Sequence, residues 1–209
     1  MRTYFCFFLM FFLSGYWQVS AQVGLKGTQS TRNIEDKRKA HVGWILGFGI
    51  NAVDDSGSGN DFFNISEAWN VASYPSRLSV GTIFPSGLGV EAIMTFNTYK
   101  EGKIVDFNPI IEPVNYVAFD TRLVYDLSLL FGQNGWLDPY LGTGWGITKM
   151  PDNNRTTMNA VLGFRTWLSV NWALDFNTTA KWSLSKRNGA TNHLQHGIGL
   201  VYKIKTNRE

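Results

Sequence analysis

The sequence predicts an all-β protein: an eight-stranded, antiparallel, up-and-down transmembrane β-barrel. Three observations carry this. From Val42 onward, segments of about ten residues alternate apolar and polar side chains, the period of a strand with two different faces. The polar faces hold charges of both signs, and the apolar faces carry aromatic residues near their ends. Turn residues separate the segments, and the connections alternate between short and long.

Length and composition agree. A chain of 209 residues suits one domain with short tails. Aromatics at 15% and 21 glycines, with only 17% charged residues, argue against disorder. The formal net charge of +3 is raised by Lys37, Arg38 and Lys39 and by the basic tail Lys203, Lys205 and Arg208, so no basic stripe suggests a nucleic-acid partner. The one cysteine, Cys6, lies in the N-terminal apolar run, which excludes a disulfide or a thiolate zinc site in a processed chain.

That N-terminal run reads as a signal peptide over residues 1–21. Arg2 supplies the positive start, Tyr4 to Leu13 the apolar region, and Val19-Ser20-Ala21 a small-residue cleavage site. No later stretch approaches the ~18 apolar residues of a membrane helix, so any membrane crossing must use a closed barrel. Residues 22–41 are polar and charged and read as a flexible lead-in, 42–204 as the barrel, and 205–209 as a short polar tail.

The eight segments are 42–53, 76–84, 88–100, 116–128, 138–149, 156–168, 171–183 and 193–204. In the first, Trp44, Leu46, Phe48 and Ile50 share the apolar face. In the third, Leu88 to Phe96 alternate against Gly89, Glu91, Thr95 and Asn97. In the fourth, Val117, Phe119, Thr121, Leu123 and Tyr125 oppose Asp120, Arg122 and Asp126. The fifth sets Leu141, Thr143, Trp145 and Ile147 against three glycines, and the sixth sets Met158 to Phe164 against Asn159, Gly163 and Arg165. In the seventh, Trp172, Leu174, Phe176, Thr178, Ala180 and Trp182 oppose Asp175, Asn177 and Lys181.

The charges on the polar faces are Arg77, Glu91, Asp120, Arg122, Asp126, Arg165, Asp175 and Lys181, four of each sign. A water-soluble barrel would place them outside. A small membrane barrel places them in a narrow lumen, where they must pair to offset desolvation. The balance of signs predicts a salt-bridged, closed interior. Trp44, Tyr125, Trp145, Trp172, Trp182 and Tyr202 are the expected membrane-interface aromatics. Short connections at 85–87 and 169–170 and a moderate one around Gly132, Asn134 and Gly135 lie on one side. The other side takes 54–75, 101–115, 150–155 and 184–192 as its longer loops.

The chain resembles the membrane-spanning domain of the OmpA family in its Bacteroidetes form. The residues that carry this are Gly49 to Gly57, Tyr74-Pro75-Ser76-Arg77-Leu78-Ser79-Val80-Gly81, Asp138 to Gly144 and Gly163-Phe164-Arg165-Thr166-Trp167. Gln195 to Tyr202 also looks like the C-terminal signal read by the barrel-assembly machinery. The resemblance implies an outer-membrane protein in contact with lipid and lipopolysaccharide, with both termini periplasmic. It implies a structural, envelope-integrity or surface-interaction role. Its departure is the end at Glu209, without the peptidoglycan-binding domain that often follows, so the chain looks like a barrel-only member.

Three alternatives stand beside that reading: a narrow, low-conductance porin-like channel, an enzyme acting on lipid A or phospholipid, and a soluble lipocalin-like binder whose apolar faces would point inward. The enzyme would draw on His41, His193 or His196 with Ser183, Ser185 or Thr191. No Gly-x-Ser-x-Gly elbow is present, and His193 and His196 point to opposite faces of one strand. The expectation is therefore no catalytic residue, no metal and no cofactor. His196 reads as an outward-facing residue near the rim. Asp54 to Asp61 reads as a surface loop rather than a calcium site, since it lacks the EF-hand order. Phe62, Phe63, Trp69 and Tyr74 read as packing that loop on the rim.

Overall fold

The computed structural model describes residues 43–57, 65–72, 75–131, 136–151, 153–184 and 192–204. The segments expected to be signal peptide, lead-in and C-terminal tail lie outside the described residues, as do His41, Phe62, Phe63, Tyr74, Ser185 and Thr191.

Eight long strands form the wall: β1 (Gly43–Asp54), β3 (Arg77–Ile83), β4 (Leu88–Tyr99), β7 (Val114–Asp126), β8 (Leu137–Met150), β9 (Asn153–Trp167), β10 (Trp172–Ser183) and β11 (His193–Ile204). Each pairs antiparallel with its sequence neighbour, and β11 closes on β1, from Trp44↔Ile204 to Asp54↔Leu194. The result is a closed, eight-stranded, up-and-down barrel. Smaller elements decorate its ends: helix α1 (Ile65–Ala68), strand β2 (Trp69–Val71), the hairpin of β5 (Ile104–Val105) and β6 (Asn108–Pro109), and helix α2 (Ser128–Phe131). Among the described residues no helix is long and apolar enough to cross a membrane.

The pairings fix the barrel's geometry. Stepping from Trp182 to the partner on each neighbouring strand, the path runs Met158, Trp145, Thr121, Ala92, Val80, Leu46 and Tyr202. It re-enters β10 at Trp172, ten residues from its start. A stagger of ten over eight strands, at about 3.3 Å per residue and about 4.8 Å between strands, tilts the strands by about 41° and gives a radius of about 8 Å. Such an interior is just wide enough for side chains to fill. Trp172 and Trp182, ten residues apart on this tilt, are then separated by about 25 Å along the barrel axis.

The faces follow the sequence period. Trp44, Leu46, Phe48, Leu78, Val80, Leu123, Trp145, Leu162 and Ile198 point outward and are exposed. Glu91, Asp120, Arg122, Arg165, Asp175 and Lys181 point inward and are buried. Apolar layers line the interior near its two ends. Val53, Tyr99, Val105, Tyr116, Ala118 and Met150 form one, and Ile45, Ile83, Trp167, Ala173 and Val201 the other.

The two ends differ, and one expected connection is corrected. One end carries the connections 84–87, 127–136 and 168–171 together with the start of β1 and the end of β11; it is termed the short-turn end. The other carries 55–76, 100–113 and 184–192 and is the loop end. The expected long loop at 150–155 is instead a two-residue turn, 151–152, because β8 and β9 pair as far as Met150↔Asn153. The pairing shows that the polar run Asn153-Asn154-Arg155 continues the strand.

One wall strand is interrupted. Strand β2 pairs with β1 at Ala52↔Val71, and β3 takes over at Gly49↔Arg77, so Ile50 and Asn51 face the longer stretch 72–76. Asn51 fills the breach. Its Nδ2 donates to Ser76 Oγ at 2.6 Å and to the Phe96 carbonyl at 2.9 Å, and its Oδ1 accepts from Asn97 Nδ2 at 2.7 Å. Asn97 also reaches the Asn70 carbonyl at 2.8 Å. These side chains stand in for ladder bonds that the bulge removes.

Candidate functional site

Among the described residues the interior concentrates the buried charge, and it is built in tiers along the axis. The middle tier centres on Glu91 of β4. Arg122, its partner across β7, donates to Glu91 Oε2 from Nε at 2.8 Å and from Nη2 at 2.6 Å. The other carboxylate oxygen is taken by Arg165 of β9. Arg165 Nε also lies 3.5 Å from Asp175 Oδ1, and Arg77 Nη1 lies 3.5 Å from Asp175 Oδ2. Tyr140 sits among them. Its hydroxyl donates to Asp175 at 2.8 Å and accepts from Arg122 at 3.3 Å, and both Arg122 and Arg165 lie over its ring. Three guanidinium groups thus share two carboxylates, with a tyrosine wedged between them and all six side chains buried.

Towards the loop end, Lys181 Nζ meets Asp120 Oδ2 at 2.7 Å, and Asn159 Nδ2 donates to the other oxygen at 2.8 Å. Tyr116 continues the chain. It lies 3.4 Å from Lys181 Nζ, 3.3 Å from His193 Nε2 and 3.4 Å from Gln195 Oε1. At the mouth, Arg155 pairs with Asp55 at 2.9 Å and with Asp106 at the tip of the β5–β6 hairpin. Tyr99 donates to Asp55 at 2.8 Å. The hairpin is also held through its backbone, Asp106 N to Asp55 O at 2.9 Å and Phe107 N to Ser56 O at 3.2 Å. Both tip residues have positive φ, 50° and 64°, a conformation that bulky side chains rarely adopt.

Of the charges expected in the lumen, Arg77, Glu91, Asp120, Arg122, Arg165, Asp175 and Lys181 come together in these tiers. Asp126 lines the short-turn end of the interior together with Tyr140 and Arg165. It is half-buried at the end of β7, where its Oδ1 accepts the Ser128 amide at 2.8 Å and starts the turn. Several interior groups were not singled out from sequence. Arg155 fell in a presumptive loop, although it has the inward parity of Asn159 and Arg165. Lys203, read as part of a basic tail, is an inward strand residue, buried, with its Nζ 5.3 Å from the Trp167 ring. Trp167 in turn donates to Asp138 at 2.5 Å. Tyr99, Tyr116 and Tyr140, which the sequence pattern assigns to neither face, join the tiers through their hydroxyls. Asp54, Asp55 and Ser56, placed in a surface loop by sequence, are buried.

On the outer wall, Trp44, Tyr125, Trp172 and Tyr202 lie towards the short-turn end, and the Trp172 and Tyr202 rings pack at 4.7 Å. Trp145 and Trp182 lie towards the loop end. His196 is outward-facing but covered. Trp69 of β2 stacks on it at 4.2 Å, and its Nδ1 is 3.0 Å from Thr178 Oγ1. His193 points inward, 3.9 Å from Asp55, so the two histidines do not share a site. Among the described residues no group of three or more His, Cys, Asp or Glu is placed to hold a metal ion.

No family model matches the chain, and no curated protein matches it in sequence. Solved structures do match in three dimensions. Neisserial surface protein A aligns with a TM-score of 0.54 at 13% identity, covering 77% of this chain and 96% of that one. The outer membrane protein OprG of Pseudomonas aeruginosa aligns with a TM-score of 0.55 at 13% identity, covering 80% and 99%. The fold is that of outer-membrane barrels. At this identity the likeness speaks to architecture, and the task of the barrel must be argued from its own residues.

Proposed function

We propose that this protein is an integral outer-membrane barrel whose interior is an ion-paired, closed plug and whose role is structural, in envelope integrity or surface interaction. The observation that supports it is the inversion of polarity. Charged side chains fill the inside, while Trp145, Leu162, Ile147 and their neighbours cover the outside. In water that outer band would be an apolar surface far larger than soluble monomers present. In lipid it is the favoured arrangement, since the eight long strands close into a ring, β11 against β1, and side chains of Asn51 and Asn97 bridge the break between β2 and β3.

Placing Trp44, Tyr125, Trp172 and Tyr202 at one membrane interface and Trp145 and Trp182 at the other accounts for the ~25 Å between Trp172 and Trp182, the usual height of the apolar band. Short turns face the periplasm in such barrels, which puts both ends of the barrel domain there and the loops outside. Lipid and lipopolysaccharide are then the immediate partners, with the barrel-assembly machinery acting on β11 during insertion. The plug reading is supported by the small size of the interior gaps. One, lined by Arg77, Asp120, Arg122 and Gln195 among others, and another, beside Tyr140 and Arg165, measure about 10 Å³ each. Each has room for about one water. A porin-like channel would require the Glu91 and Asp175 pairs to part. Of the histidines that a lipid-modifying enzyme would draw on, His196 is covered by the Trp69 ring and His193 points inward, 3.9 Å from Asp55.

The test is outer-membrane fractionation with gel mobility of heated and unheated samples, followed by planar-bilayer recording. The expected outcome is flotation with the outer membrane, faster migration unheated, and no discrete conductance steps. A soluble periplasmic protein without a heat shift would overturn the membrane reading. Stable steps from the wild-type protein would overturn the plug.

A further inference from the structure

We propose that the short-turn end is itself a lipid-binding surface: its three turns form an apolar collar seated in the headgroup–acyl boundary of the leaflet it faces. This rests on the membrane reading above and extends it beyond the strands. The partner is the phospholipid leaflet rather than a periplasmic protein.

The first observation is composition. No charged residue occurs between Ile83 and Leu88, between Leu127 and Leu137, or between Leu168 and Trp172. Every connection at the opposite end carries charge: Asp55 in the first, Lys100, Glu101 and Lys103 in the second, Asp152 in the third, Lys186 and Arg187 in the fourth. A turn that projects into water gains from charge, whereas one at lipid depth is penalised for it.

The second observation is exposure. Each charge-free turn presents large apolar side chains outward: Phe84 in the first, Leu130 and Trp136 in the second, Leu168 and Val170 in the third. Their exposures run from 45% at Phe84 to 63% at Leu130. They lie beyond Trp44, Tyr125, Trp172 and Tyr202, interleaved with the uncharged polar residues Ser86, Ser169 and Asn171. The Trp172 to Trp182 span already matches the hydrocarbon thickness, so the collar falls in the boundary region that suits Trp and Leu.

The third observation is how the turns satisfy their backbone. Phe84 N bonds Leu88 O at 2.8 Å, Gly87 N bonds Phe84 O at 3.0 Å, Leu127 N bonds Pro139 O at 2.8 Å and Trp167 N bonds Trp136 O at 2.7 Å. Leu168 N bonds Trp172 O at 2.9 Å, and the Ser128 amide goes to Asp126 at 2.8 Å. Turns in water can leave amides to solvent, while turns at lipid depth must bond them internally. The loop-end connections bond amides as well, Gly102 N to Ile110 O at 2.9 Å among them, so the bonding permits lipid depth while the absence of charge is what separates the two ends.

The experiment is nitroxide labelling of full-length protein in phosphatidylethanolamine–phosphatidylglycerol vesicles. Cys6→Ser leaves one label site per variant: Leu130→Cys, Val170→Cys, Leu162→Cys in the outward band, and Phe107→Cys at the loop end. Collision with oxygen is compared with collision with a water-soluble nickel chelate. The expected result is nickel access at Leu130 and Val170 several-fold below that at Phe107, with oxygen access approaching that at Leu162. If Leu162 is lipid-like but Leu130 and Val170 match Phe107, the collar is overturned and its apolar turns belong to a protein partner or a second copy. If Leu162 itself is nickel-accessible, the membrane reading falls instead.

Discussion

Arg122 directs both its Nε and one Nη at a single oxygen of Glu91, at 2.8 and 2.6 Å, leaving the second oxygen for Arg165. One carboxylate is therefore shared by two guanidinium groups inside the wall. Glu91→Gln removes that anion and leaves Arg122 and Arg165 confronting each other. The expected loss is about 3–5 kcal/mol, the cost of breaking a buried pair from one side. Urea titration of the vesicle-inserted barrel measures it, and Glu91→Asp should recover part of the loss.

Lys181 and Asp120 form a simpler pair, 2.7 Å apart and both buried. Lys181→Met alone should destabilise by several kcal/mol. Adding Asp120→Asn should restore much of this, since replacing both partners by uncharged groups avoids an orphaned charge. A double-mutant cycle in urea reads the coupling. Strict additivity would mean that the pair contributes nothing.

Gly144 tests close strand approach. A Cβ there would sit 2.0 Å from the Thr121 carbonyl oxygen and 2.8 Å from Arg122 Cα, both parts of the neighbouring backbone. Gly144→Ala should sharply lower the yield of the fast-migrating, unheated form. Gly102, with φ of +78° and nothing within 4 Å, offers the contrast. Gly102→Ala should cost only the left-handed backbone penalty, about 1 kcal/mol.

Arg155 joins Asp55 to Asp106, and the hairpin amides of Asp106 and Phe107 bond back to residues 55 and 56. Arg155→Met should speed amide exchange at Asp106 and Phe107 while β4 and β9 keep their protection. Unchanged exchange at the tip would show that the backbone bonds alone hold the hairpin.

The two-residue period made the wall legible from sequence, because a membrane barrel must alternate at every strand position, and the parity of Glu91, Arg122 and Lys181 assigned them inward. What escaped had physical reasons. Arg155 lies where polar Asn153 and Asn154 resemble a loop, and only pairing across β8 shows that the strand continues. Lys203 looks like a tail charge until Lys203↔Ile45 places it in the ladder. The breach between β2 and β3 has no local signature, since Asn51 and Asn97 repair it from two other strands. Tyrosines hide their role altogether. The sequence pattern assigns Tyr140 to neither face, yet its hydroxyl is the link between Arg122 and Asp175.

The joining of β1 to β11 sets the order of events in assembly. Trp44 cannot meet Ile204 until the whole domain has been made, so the closing ladder is the longest-range pairing in the chain. Until then two unpaired edges, each with an apolar face, stand ready to bind any other strand. Closure is thus a single late commitment. A chaperone that shields those edges, or a machine that lends them a temporary partner, would govern yield more than any one internal contact.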